Sequence, residues 1–143
     1  MTVGAYRRQM LFEDEALAEI VRDVWNGIPN HFAHADVDEF VVMPNHVHGI
    51  IWITKSTVGA IVGSFKSAAT KRANMLRGMP GAKLWQRNYY EHVIRGEDEL
   101  RTVREYISTN PLKWQLDREN PRHVPNSDHE RDWGWLEGVA DVA

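Results

Sequence analysis

A chain of 143 residues, 43% hydrophobic and 26% charged, has the size and balance of one globular domain. It contains no cysteine, which excludes disulfides and thiolate metal sites and leaves His, carboxylate, amide or water as the ligands of any metal. Its longest apolar runs, residues 40–43 and 49–53, are far too short to span a bilayer, and Arg7-Arg8 followed by acidic residues is no signal-peptide pattern, so a cytoplasmic location is expected.

In chain order, residues 2–6 could supply only the stub of a strand. Residues 13–28 are expected to form a helix, because Leu17, Ile20, Val21, Val24 and Trp25 recur at three- and four-residue spacing and Gly27 with Pro29 ends the run. Residues 37–43 and His46–Ile53 read as two strands of a hairpin turned at Pro44-Asn45, and the second is apolar on both faces, as a central strand is. Ser56 or Thr57 can cap a following helix with the stripe Val58, Ile61, Val62, Phe65, Ala69, Arg72 and Leu76. Residues 78–81 form a loop, residues 89–95 a strand and residues 97–109 a helix with an acidic first turn, broken or kinked at Pro111. Beyond residue 117 the chain reads as an irregular arm. The order implies an α+β, ferredoxin-like split βαβ antiparallel sheet, provided a strand precedes the first helix.

The net charge of −3 argues mildly against a nucleic-acid partner, but its distribution does not. Residues 1–40 carry three basic and eight acidic side chains, whereas residues 55–95 carry eight basic and one acidic. That segment is either a solvated helix face or a local patch for a phosphate backbone.

His46 and His48 are two apart on a strand, so both imidazoles leave one face and can reach one ion. Alone, the pair is equally compatible with ordinary polar residues near a strand end. Tyr106 and Asn110 are four apart on a helix and share a face. If that face covers the His pair, the Asn110 amide can join the ligands and the Tyr106 hydroxyl can point at the same spot. Otherwise Tyr106 is a half-buried core residue and Asn110 a helix terminus.

The block Val42-Met43-Pro44-Asn45-His46-Val47-His48 resembles the His-hydrophobic-His motif of single-tyrosine HUH transposases. Residues 85–95, beginning Trp85-Gln86-Arg87-Asn88-Tyr89-Tyr90, and the block Tyr106-Ile107-Ser108-Thr109-Asn110-Pro111-Leu112-Lys113-Trp114 resemble later motifs of the REP-associated tyrosine transposase branch. The match covers residues 10–120, and three blocks in order are far more specific than one.

The resemblance implies a catalytic domain over residues 1–116 and a C-terminal arm over 117–143. It implies Mg²⁺ or Mn²⁺ on His46 and His48, with Asn110 at the position of a polar third ligand, and Tyr106 as the nucleophile that forms a 5′-phosphotyrosine. The implied partner is single-stranded or hairpin DNA. Lys66, Lys71, Arg72, Lys83, Arg87, Arg95 and Lys113 are then candidates for its backbone, and Trp85, Tyr90 and Trp114 for stacking on bases, with Tyr89 assigned to packing or stacking. Members of this family carry a longer first strand, so this chain is expected to lack most of it. That would expose an apolar edge beside His46–Ile53 and invite a homodimer. The competing readings are a decayed or domesticated hairpin-binding module, a hydrolase in which water attacks, and an α+β domain with an incidental His pair.

Overall fold

The computed structural model describes residues 1–117, with side chains as far as Asn110. The expectation of a separate arm over 117–143 lies outside the described residues, Asp117 apart.

Helix α1 (Glu15–Asn26) starts where the Asp14 carboxylate accepts from Ala16 N at 2.9 Å and stops at Gly27. Its buried stripe is Leu17, Ala18, Val21 and Trp25. Pro29 falls in the first turn of the short helix α2 (Ile28–His31), where its missing N–H costs nothing. Strands β2 (Ala35–Met43) and β3 (His46–Ile53) form the expected hairpin. The Thr57 hydroxyl accepts from Ala60 N at 3.1 Å and caps α3 (Val58–Arg77), which ends on left-handed Gly78 at φ 63°. Strand β4 (Trp85–Tyr90) and helix α4 (Glu97–Asp117) follow, the latter with Glu97, Asp98 and Glu99 in its first turn.

The first strand, expected as only a stub over residues 2–6, is four residues long, yet it completes the sheet. Strand β1 (Thr2–Ala5) is buried along its whole length and sits in the middle of a four-stranded sheet ordered β2-β3-β1-β4, with every pairing antiparallel. This is the split βαβ arrangement of an α+β ferredoxin-like fold. Thr2 lies opposite His48, Val3 opposite Val47 and Gly4 opposite His46. The Met1 nitrogen donates to Gly49 O at 2.7 Å and the Gly49 N–H returns a bond to Met1 O at 3.0 Å. The edge expected to lie open along all of β3 is therefore covered as far as Gly49. Association of two copies through β3 has only the stretch beyond it to use.

Three element boundaries differ from the sequence reading. Strand β4 spans residues 85–90 rather than 89–95, because its partner β1 reaches only Thr2, which pairs with Tyr90. Helix α4 continues through Pro111 to Asp117. On α3 the buried row runs Ile61, Val62, Phe65, Ala69 and Ala73, while Arg72 and Leu76 face outward, since 3.6 residues per turn carries the stripe past them.

Helices α1 and α3 cover one face of the sheet, with a core of Trp25 stacked on Phe40 at 4.2 Å and Phe65 against Trp85 at 5.6 Å. Helix α4 covers part of the other, where Val103 and Ile107 pack on Ile50. Gly49 lies under the Trp25 ring. A Cβ there would sit 2.4 Å from Trp25 Cη2 and 2.9 Å from Phe40 Cδ1. We expect Gly49→Ala to destabilise the fold by about 2 kcal/mol through overpacking, read from urea unfolding midpoints. An unchanged midpoint would show that the ring pair moves aside freely.

Candidate active site

His46, His48 and Ile50 alternate onto the face that α4 covers, while Val47 and Gly49 turn to the main core. Both imidazoles are 1% exposed, and their Nε2 atoms converge to 2.8 Å. Each Nδ1 is held from behind. Asn45 Oδ1 lies 2.7 Å from His46 Nδ1, and Thr2 Oγ1 lies 2.9 Å from His48 Nδ1. With the Asn45 oxygen accepting, His46 donates through Nδ1 and keeps a lone pair on Nε2.

The Thr2 hydroxyl can serve either tautomer of His48. When it donates to Nδ1, His48 Nε2–H bonds to His46. When it accepts from Nδ1–H, both Nε2 lone pairs face the same point, an arrangement that repels unless a cation shares it. Two nitrogen ligands at about 2.1 Å and a right angle lie about 3 Å apart, close to the observed separation. The pair therefore fits a divalent ion. Among the described residues no third His, Cys, Asp or Glu joins it. Asn110, one turn beyond Tyr106 on α4, is 5% exposed, and its Nδ2 has no hydrogen-bond partner among the described residues. An ion held by the two imidazoles would keep coordination positions for an amide, water or phosphate oxygen.

Tyr106 is half-buried on α4, with its ring edge-on to His48 at 5.7 Å between centroids. Asn110 follows one turn later. The structure thus brings His46, His48 and Tyr106 together and puts Asn110 on the same side of the helix. What fixes that helix is a contact the sequence did not reveal. Arg104 reaches over the edge strand β2 and grips Asp38 with both ends of its guanidinium, Nε at 3.0 Å and Nη2 at 2.6 Å. Asp38 sits where the β2 register shifts between Val37 and Phe40, and it also accepts from Trp52 Nε1 at 2.8 Å and from Glu39 N at 2.7 Å. The Arg104 hydrogen bonds lead the causes that pull its carboxyl down to about 2. The N-terminal end of α4 is tied separately, by Glu99 to His92.

The pattern of the family described as IS200-like transposase matches residues 1–110. The chain belongs to that family. A Haemophilus influenzae protein without a described function is 37% identical over 134 residues, covering 78% of this chain and 72% of its own. Two solved structures of family-like fold align with it. One is a REP-associated tyrosine transposase bound to a REP hairpin, with a TM-score of 0.62 at 23% identity over 96% of this chain and 78% of that one. The other is a Deinococcus radiodurans protein assigned as a transposase, with a TM-score of 0.55 at 21% identity over 76% of this chain and 85% of that one. At those identities they show a shared fold.

Within this transposase the basic and aromatic candidates fall into three groups. Lys71, Arg87, Arg95 and Tyr90 are exposed. Lys83 is exposed with Nζ 5.5 Å from the Tyr6 ring centre, and Arg72 is exposed but paired with Asp23 at 3.4 Å. Lys66 and Trp85 have structural work instead. The Lys66 ammonium donates to Gln86 O at 2.7 Å and Arg87 O at 3.1 Å, and burial lowers its pKa. Trp85 is 6% exposed, lies against Phe12 at 5.2 Å and donates to Lys66 O at 3.2 Å, so it packs the core and cannot stack on a base from there. Lys113 and Trp114 lie outside the described side chains.

Sequence reasoning missed Thr2, Asn45, Asp38 and Arg104. Asn45 carried a signal, standing directly before His46. The other three depend on pairings between distant segments. We expect Thr2→Val, which keeps shape and removes the hydroxyl, to weaken divalent-ion binding by about 10- to 100-fold in calorimetry, because the His48 tautomer loses its support. Unchanged affinity would exclude Thr2 from the site. For Asp38, whose folded pKa is depressed, the contribution to stability is present above the unfolded carboxyl pKa of about 4 and is lost as pH falls through about 2. The stability gap between the parent and Asp38→Asn should accordingly be widest near neutral pH and close on acidification. A pH-independent gap would deny the ion pair its role.

Proposed function

We propose that this transposase cleaves and rejoins single-stranded DNA next to a hairpin, with Tyr106 as the nucleophile and His46, His48 and Asn110 as ligands of a divalent ion, Mg²⁺ or Mn²⁺. The observation that carries the reading is the convergence of the two Nε2 atoms at 2.8 Å, each ring held through its other nitrogen, with the Tyr106 ring against His48. The hairpin is suggested by the REP-associated relative, whose structure holds one. Beside His48 a cavity of about 630 Å³ between β3, residues 91–97 and α4 leaves room for a nucleotide.

A phosphodiester repels nucleophiles because it is anionic. The bound cation would offset the charge that grows on its non-bridging oxygens. The chain supplies the rest. Tyr106 Oη forms a bond to phosphorus, the bond from phosphorus to the 3′ oxygen breaks, and the hydroxyl proton ends on that departing oxygen. The product is a 5′-phosphotyrosine and a free 3′-hydroxyl. Because the phosphoester is conserved, the reverse attack by a 3′-hydroxyl rejoins a strand with no nucleotide cofactor. Asp38 and Arg104 keep α4 against the sheet, so Tyr106 meets the phosphate in a fixed orientation.

The test is incubation of a labelled hairpin-bearing single strand with the protein and Mn²⁺ or Mg²⁺. A covalent protein–DNA adduct is expected, abolished in Tyr106→Phe. In His46→Ala or His48→Ala, adduct formation should fall at least 100-fold while hairpin binding is largely kept. Cleavage without an adduct would replace Tyr106 by water as the nucleophile. Tight binding without cleavage would make the chain a hairpin-binding module.

A further inference from the structure

Among the described residues, five have positive φ. Three are glycines, and the other two are adjacent arginines, Arg7 and Arg8, both at φ 54°. Side chains of L-residues crowd the backbone in this region, and adjacent non-glycine residues in it are rarer still. Such strain persists only where the surroundings impose it, and it gathers at functional sites. Here the surroundings are visible. Residues 6–11 form a loop with both feet tied to the turn that leads into His46. Ala5 N donates to Asn45 O at 2.8 Å, and Phe12 N donates to Pro44 O at 2.9 Å. A third tie runs from Tyr6 N to Leu84 O at 2.9 Å.

The result is a concentration of positive charge. Arg7 and Arg8 are exposed at the tip of this loop. The Arg7 guanidinium lies 5.1 Å from the centre of the Tyr6 ring and Lys83 Nζ lies 5.5 Å from it, so one ring holds two cations from segments 76 residues apart. Among the described residues neither Arg7 nor Lys83 has an ion pair. Gathering like charges in this way is unfavourable unless an anion shares the site. Only Tyr6 stands between Arg7 and Ala5, two steps of chain or about 7 Å at full extension, and the neighbour of Ala5 across the hydrogen bond is Asn45. Asn45 in turn orients His46.

We propose that the Tyr6–Arg8 turn, together with Lys83, is a phosphate grip that holds the DNA single strand beside the His46/His48 site. The grip rests on the reading of the chain as a single-strand transposase and adds a second point of contact to it. Two arginines grip backbone phosphates without reading bases, so the effect is on affinity and position and not on sequence choice.

The experiment uses Tyr106→Phe throughout, so that covalent capture does not enter the binding measurement. Arg7→Gly, Arg8→Gly and the matching Asn variants accept the left-handed conformation with less strain. Their thermal midpoints should therefore be kept or raised. Their affinity for a hairpin-bearing single strand should fall about 5- to 10-fold each, and the slope of log K against log salt should shrink by about 0.7 per arginine removed. Arg7→Lys, which keeps the charge, should retain most of the affinity. Unchanged affinity and salt slope in the Gly and Asn variants, with the Tyr106→Phe protein still binding, would overturn the grip alone. No binding of any DNA by the Tyr106→Phe protein would overturn the transposase reading and the grip with it.

Discussion

Strand β1 bonds on both sides, to β3 through residues 2–4 and to β4 through residues 2–5, and the two halves of the sheet meet only through it. Four residues thus close a sheet that draws its other strands from most of the domain. They are buried on both faces because both faces and both edges are occupied. The same strand supplies Thr2 to His48 and, at its far end, hydrogen-bonds to Asn45 beside His46. Fold and site therefore share one support. A backbone shift that slipped β1 by one residue would turn Thr2 to the opposite face and leave His48 Nδ1 without its oxygen. Strand register thus supplies the partner of His48 Nδ1, which is why a polar residue can be buried at the start of an otherwise closed strand.

Tyr106 rests on a weaker support. Helix α4 meets the sheet through a small apolar cluster, Val103 and Ile107 on Ile50, with Leu100 and Tyr106 at its margin. That stripe sets which side of the helix faces down but leaves sliding along its axis comparatively easy. The Arg104–Asp38 grip resists sliding, because two parallel hydrogen bonds to one carboxylate tolerate little displacement. Its anchor lies at the register shift of β2, where the irregular strand turns Asp38 out of the regular ladder. The pair is partly exposed, with Arg104 at 44% and Asp38 at 14%, so its worth lies more in orientation than in stability.

What was legible in the sequence follows from how local each signal is. The His46/His48 spacing, the Thr57 cap, the stop at Gly27 and the hairpin at Pro44-Asn45 each lie within a few residues, and the structure contains all of them. Strand β1 reads as no more than a stub because four residues are too few to display alternation, and a strand covered on both faces does not alternate in polarity. The end of β4 at Tyr90 is set by the length of its partner, a fact absent from its own residues. Trp85 and Lys66 carry residue types common at nucleic-acid surfaces. Their burial and their bonds come from the meeting of α3 with β4, which no local pattern encodes. Asp38 and Arg104 are likewise unremarkable until a helix and a strand 66 positions apart are brought together.

Charge follows the same logic. Counted along the chain, positive charge belongs to residues 55–95 and the first forty residues are acidic. In the fold this division dissolves. Lys66 is drawn onto backbone carbonyls and Arg72 onto Asp23, which removes two members of the basic segment from any shared patch. Arg7, from the acidic third, joins Lys83 at one aromatic ring, with Arg8 adjacent, on the loop whose two ends bond to Asn45 and Pro44. A single strand bound at the His pair would experience the local arrangement and not the sum, because exposed charges more than about 8 Å apart are largely screened at physiological salt. The net charge of −3 is therefore no obstacle to a DNA partner. On the proposed reading, an acidic excess elsewhere on the surface would disfavour random binding of nucleic acid, and the outward-facing cations of residues 6–8 and Lys83 would bias where a strand lies.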